Sequence, residues 1–353
     1  MNNRLPIFVH IGLAKTGTTF LQRHFFSCHS EIGYLGKVWS KNKRMLKAGD
    51  AIVRRDSISF DLEEVYEAYF EAVTQMSNEK KVLVLSEEDF STYKFMDPYI
   101  CAMRLTQIFS NVKILITLRH PLDWIESTYF WRLNLEHPNT FDGFESWLKK
   151  QWRSPALFNE ISEIRYGKII KIYSEIFRPE NIHIILYENL KEDINNFAKN
   201  LSIILGINQQ ESLTLIGDTS QIKREKNRIT MRLVDFLHCQ KFLMVDDLKP
   251  YREAMQSYIH MLPYQHQNSM NLKLDSVLAT GYKNLDNWKE FIREIRNHLR
   301  GYFQEGERAW VLYPDYLKKS ISNYCISQNQ ILEKEYNLNL EAYGYPMGQG
   351  KRI

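Results

Sequence analysis

Short apolar runs bounded by turn residues recur at Ile7 to Ile11, Val82 to Leu85, Lys113 to Leu118 and Ile182 to Tyr187. Each is nearly continuous in hydrophobicity and rich in β-branched residues, the pattern of strands buried on both faces. Between them the period changes. Leu62, Val65, Tyr66, Tyr69 and Val73 recur at helical spacing before the second run, and Ile161 to Phe177 precedes the fourth in the same way. Alternation of this kind predicts an α/β fold, a mostly parallel sheet flanked by helices, whose ligands bind beyond the carboxyl ends of the strands. From about Ser220 the strand signals fade, and the pattern through Arg300 is mainly helical, carrying Tyr251, Tyr258, Tyr264, Tyr282 and Trp288 as expected core aromatics. No low-complexity linker interrupts the chain. The expectation is one domain over residues 1–353, with an α/β core over 1–219 and a mainly helical subdomain over 220–353.

The loop after the first run reads His10-Ile-Gly-Leu-Ala-Lys-Thr-Gly-Thr-Thr19. Gly12 and Gly17 keep the glycine spacing of a nucleotide triphosphatase phosphate loop, but Thr18 stands where that loop carries its lysine, and Lys15 lies inside it. Backbone N–H groups and the start of a helix from Thr18 to Phe26 would still cradle a phosphate, and a lysine in mid-loop would lie near an inner 5′-phosphate. The third run ends in Arg119-His120-Pro121, with proline in the favoured first turn of a helix, Asp123 near its positive end, and Ser127 eight residues after Arg119. A guanidinium and a hydroxyl are suited to gripping a second phosphate. The fourth run closes on Tyr187-Glu188-Asn189-Leu190.

Together these residues resemble the sulfotransferases that use 3′-phosphoadenosine 5′-phosphosulfate (PAPS), in particular the bacterial carbohydrate type. The stretch Ile331 to Pro346 also resembles the tail of that type, so the likeness covers about residues 5–225 and 313–346. The resemblance implies that Lys15, Thr16, Gly17, Thr18 and Thr19 hold the 5′-phosphosulfate. Arg119 and Ser127 would hold the 3′-phosphate, and Tyr187 would lie by the adenosine. A late basic segment, Lys223 to Arg228, falls where relatives cover the 3′-phosphate, which brings in Arg228. The implied product is adenosine 3′,5′-bisphosphate (PAP), the implied acceptor a saccharide, and no metal is required.

Sulfuryl transfer needs in-line geometry, charge relief on the leaving oxygen and a base for the acceptor. Lys15 is placed to relieve the leaving oxygen. Ser86-Glu87-Glu88-Asp89 follows the second run at the ligand-bearing edge, and Glu88 best matches a Ser-x-Glu-like element of bacterial relatives, with Glu87 beside it. Burial would raise such a carboxylate toward neutrality. Ser86 and Asp89 equally fit a capping box, the acids then favouring the helix dipole. Glu31 is the reserve base, since heparan-type relatives take theirs from a segment after the first helix. His10 lies on the strand and is expected to be a packed or loop-supporting histidine.

A net charge of +4 over 353 residues gives no global argument for nucleic acid or a membrane. Cys28, Cys101, Cys239 and Cys325 are widely spaced, as reduced and mostly packed thiols are. The first apolar run is short and interrupted by His10, so neither a signal peptide nor a membrane anchor is expected, which points to the cytoplasm. Two other function classes share the loop: a nucleoside or sugar kinase, and a non-catalytic nucleotide- or polysaccharide-binding module. The kinase reading lacks a lysine after Gly17 and a strand ending in a magnesium-binding aspartate.

Overall fold

A computed structural model describes residues 5–36, 43–134, 143–153, 159, 161–218, 264–280 and 313–348, with single positions at 259, 290, 291 and 294. The chain divides into two compact units, one of residues 1–125, 154–221 and 315–353, the other of 126–153 and 222–314. The C-terminal segment therefore belongs with the α/β unit rather than with the stretch that precedes it in sequence.

The elements of the first unit begin with β1 (Ile7–His10), α1 (Thr18–Leu21), β2 (Ile32–Tyr34), α2 (Lys43–Arg54), α3 (Leu62–Met76), β3 (Val82–Ser86), α4 (Pro98–Ile108) and β4 (Val112–Leu118). Helix α5 (Pro121–Asn134) starts in this unit, and α6 (Gly143–Arg153) belongs to the second. The first unit resumes with α7 (Tyr166–Phe177), β5 (Ile182–Leu186), α8 (Tyr187–Glu192), α9 (Ile194–Leu205) and α10 (Gln209–Asp218). Helix α11 (Tyr264–Thr280) lies in the second unit and α12 (Asp315–Tyr336) in the first. In the second unit the rings of Tyr129, Phe144 and Trp147 pack together, and Tyr313 meets Phe144 edge-on at 4.9 Å.

The sheet is parallel throughout, in the order β2-β3-β1-β4-β5. Period-two alternation sorts its side chains into two cores. Ile7, Val9, Leu83, Leu85, Ile114, Ile116 and Leu118 join the face covered by α2, α3, α4 and α7, while Phe8, Val82, Val84, Leu115 and Ile185 join the face of α1, α9 and α10. Burial on both faces explains the unbroken apolar runs. Each fully buried aliphatic side chain contributes about 1.5–3 kcal/mol relative to exposure. Helices are delimited by local chemistry. Asp61 caps α3 by accepting the Glu64 N–H at 3.0 Å, and Asp193 caps α9 by accepting that of Asn196 at 3.0 Å.

Strand β1 lies at the centre, with β3 on one side and β4 on the other, so the strand order reverses between β1 and β4. Such a switch point opens a crevice at the carboxyl ends of the strands. The loop 11–17 leaves β1 there, and the turn at Arg119 leaves β4 beside it.

Candidate donor site

Two residues of left-handed backbone, Lys15 at φ 66° and Gly17 at φ 87°, turn the loop back toward α1. This conformation is natural for glycine and strained for lysine, and strain of that kind is stored where a geometry is functionally demanded. Thr16 is buried and its hydroxyl donates to the Leu13 carbonyl at 2.6 Å, closing the loop from within. Helix α1 continues as a π-helical turn over Gln22–Phe26, so the helical run spans Thr18 to Phe26 as expected. A Cβ on Gly17 would stand 3.1 Å from the Tyr187 ring, and one on Gly12 would stand 2.5 Å from His10 Nε2.

Three distant segments close on this loop. Arg119, buried at the end of β4, donates from Nη1 to the Lys15 carbonyl at 2.9 Å. Trp124, in the first turns of α5, donates from Nε1 to the Ala14 carbonyl at 2.7 Å. Tyr187, the first residue of α8, presents its ring 4.9 Å from the Arg119 guanidinium carbon and lies against Gly17. Arg119 Nε is buried and has no hydrogen-bond partner among the described residues, a donor suited to an anion. Pro121 opens α5 with Asp123 in its first turn, as expected, and Ser127 lies further along the same helix, partly buried.

Beneath the loop is a buried polar cluster centred on His10. His10 Nδ1 meets Ser86 Oγ at 2.8 Å and its Nε2 meets Thr117 Oγ1 at 2.9 Å, while Gln22 Nε2 donates to Ser86 Oγ at 3.0 Å. Burial pushes the imidazole down to about 3, so it is neutral and cross-links β1, β3 and β4 as a hydrogen-bonding spacer. The signal in sequence was a histidine and two hydroxyl residues at the carboxyl ends of three central strands.

The carboxylates separate clearly. The hydroxyl of Thr18 donates to Glu88 Oε1, which brings Glu88 to the rim of the loop 11–17. Glu87 is buried and turned inward, with Oε1 accepting the Asp89 N–H at 3.1 Å. It is thus Glu87 that caps the short 3-10 helix Glu88–Ser91, while Ser86 is held by His10, so the capping box expected of Ser86 and Asp89 does not form. Glu31 is the plain correction. It precedes β2 at the amino end of the sheet, pairs with Lys81 at 2.5 Å and accepts the Asn208 N–H at 2.6 Å. These contacts hold its carboxyl below the usual range, the opposite of what a base requires. Parallel pairing of β2 with β3 puts it at the wrong edge for the loop.

Thr19 is exposed at the start of α1. Arg228, with the whole segment Lys223 to Arg228, lies outside the described residues, as do Tyr251, Tyr258, Tyr282 and Trp288. Cys28, Cys101 and Cys325 are free thiols, the last two buried. Among the described residues no helix is long and apolar enough to cross a membrane, and no group of histidine, cysteine and acidic residues could hold a metal ion.

No curated protein matches the chain. Among solved structures it is similar to a sulfotransferase from Alicyclobacillus acidocaldarius (20% identity, 69% of this chain and 97% of that one, TM-score 0.43). It is also similar to the sulfotransferase domain from the curacin biosynthetic pathway (19% identity, 60% and 78%, TM-score 0.39). A mouse sulfotransferase complexed with PAP is a third (16% identity, 64% and 68%, TM-score 0.39). The family model of the sulfotransferase domain matches residues 6–238, a stretch that takes in the loop 11–17, Arg119, Ser127 and Tyr187. The chain thus belongs to the sulfotransferase domain family.

Proposed function

We propose that the protein moves the sulfuryl group of PAPS to a hydroxyl or amine of a carbohydrate acceptor, with the loop 12–19 and Arg119 reading the two ends of the donor. The observation that carries this reading is the hydrogen bond from Arg119 to the Lys15 carbonyl, because it ties the 5′-phosphate loop to the residue expected at the 3′-phosphate. The buried Nε of Arg119, without a hydrogen-bond partner among the described residues, supports the fit, as does a loop whose close approach to His10 leaves no room for a side chain at Gly12.

The donor supplies an activated sulfuryl group, whose bond to the 5′-phosphate oxygen breaks as the acceptor oxygen bonds to sulfur. Lys15, with the hydroxyl of Thr19, relieves the charge that develops on the phosphate oxygen, the Thr18 hydroxyl being given to Glu88. Glu88 takes the acceptor proton. Its contact with Thr18 supports that role, because it holds a carboxylate at the rim of the loop. Arg119, Ser127 and Tyr187 orient the adenosine half so that the sulfur faces the acceptor. The saccharide acceptor is favoured by the resemblance of the loop and tail to carbohydrate-type enzymes. A role for Arg228 over the 3′-phosphate remains part of this proposal.

Two measurements test it. Thermal shift with PAP against ATP and magnesium should show stabilisation by PAP alone, because only PAP carries a 3′-phosphate. Incubation with sulfur-labelled PAPS should label desulfated oligosaccharides and leave a simple phenol unlabelled. Labelling of the phenol alone would overturn the acceptor class, and PAP binding with no transfer to any acceptor would favour a binding module.

A further inference from the structure

We propose that the C-terminal tail is a positioning element of the donor site, in which Tyr345 acts through Glu188 to hold Arg119. The inference rests on the donor reading above and concerns residues with no role in it. Glu188 is buried on α8 and accepts two hydrogen bonds, from the His120 N–H at 2.8 Å and from the Tyr345 hydroxyl at 3.0 Å. On the other side of the same turn, the Tyr166 hydroxyl donates to the Arg119 carbonyl at 2.6 Å. That carbonyl and the His120 N–H belong to one peptide unit. The peptide that carries Arg119 is therefore gripped at both of its polar ends, once by α7 and once by a carboxylate that the tail holds in place.

The tail reinforces this contact. His120 Nε2 donates to the Gly344 carbonyl at 2.9 Å, and the Tyr345 ring meets the His120 ring edge-on with centroids 5.3 Å apart. Beyond it, Asn329 and Gln330 of α12 donate to the carbonyls of Pro346 and Met347 at 2.9 and 2.6 Å. Tyr345 itself is only 3% exposed. A hydroxyl spent on a carboxylate that in turn holds a backbone N–H orients that peptide more than it stabilises the fold, since packing of the ring alone would fill the space.

Tyr345→Phe keeps the ring and removes the hydroxyl, which makes it the discriminating variant. Loss of one such hydrogen bond should weaken PAP binding about three- to tenfold, while AMP, which lacks the 3′-phosphate, keeps its affinity. In an Arg119→Ala background the same change should leave the PAP-to-AMP ratio where Arg119→Ala alone puts it, because the tail acts only through that side chain. Equal losses for PAP and AMP, or a further loss of PAP selectivity in the Arg119→Ala background, would overturn the proposal. A wild-type protein that prefers PAP while Tyr345→Phe keeps the same ratio refutes the tail's role and leaves the donor reading standing. A wild-type protein with no preference for PAP refutes both.

Discussion

Lys15 is held in left-handed backbone inside the loop, and its carbonyl is clamped by Arg119, so in the proposed function its side chain is left for the 5′ end of the donor while its main chain braces Arg119. Removing the side chain should leave that clamp intact. Lys15→Ala is accordingly expected to keep an unliganded melting temperature near wild type while PAP release from PAPS falls by about 10²–10³-fold, the scale of losing one preorganised charge donor. Unchanged turnover would remove Lys15 from the chemistry. For the base, Glu88→Gln should retain PAP binding and lose about 10²–10⁴-fold in turnover, with Glu31→Gln mild. A dead Glu31→Gln beside an active Glu88→Gln would reverse the assignment. At this scale the sequence was legible wherever a residue directly follows a core strand, as Arg119, Tyr187 and the loop residues do. Glu31 was misplaced because its position depends on β2, three residues long and without a readable period, and on pairing with β3 at the amino edge. Trp124, Tyr166 and Glu188 act on backbone groups far away in sequence, which no local pattern encodes.

Four of the five strands were readable because both faces are buried and their hydrophobicity is continuous; their ends differ by a residue where polar partners extend the strand, as at Ser86. The helix α3 stood out through its apolar spacing and carries a matching cap at Asp61. The grouping of α12 with the α/β unit was not legible, since it depends on contacts such as Gln328 to the Ile164 carbonyl across 164 positions. The join between the loop and α1 gives the sharpest test at this level. At Gly17 a methyl group would meet the Tyr187 ring in a backbone conformation that side chains rarely adopt. Gly17→Ala should cost about 1–3 kcal/mol of stability and weaken PAP binding, because the loop can relieve the strain only by moving off Tyr187. A variant with wild-type melting and wild-type PAP affinity would show that Tyr187 does not back the loop. In the core, Leu115→Ala should cost about 2–5 kcal/mol, read as a shift in the denaturant midpoint.

For the whole molecule, the acid side of the stability curve carries the mark of His10. Its imidazole is neutral in the fold and held down to about 3 by burial, against 6.5 for an unhindered histidine. Between those values the unfolded chain binds a proton that the folded chain refuses, so stability declines as the pH falls from about 6.5, by at most about 1.4 kcal/mol per pH unit for this one group. His24 and His183 are also lowered by burial and add in the same direction. Glu31, Asp56 and Glu211 are held below their ordinary values by hydrogen bonds, so their stabilisation is present above about pH 4.5 and is lost further down. The window from pH 6.5 to 5 therefore isolates the histidines. His10→Gln, which can bond to Ser86 and Thr117 but cannot titrate, should be no more stable than wild type at pH 7.5 and should show a shallower decline across that window. Parallel declines for the two proteins, measured as urea midpoints at each pH, would mean that the proton is taken up elsewhere and that the cluster joining β1, β3 and β4 does not exclude it.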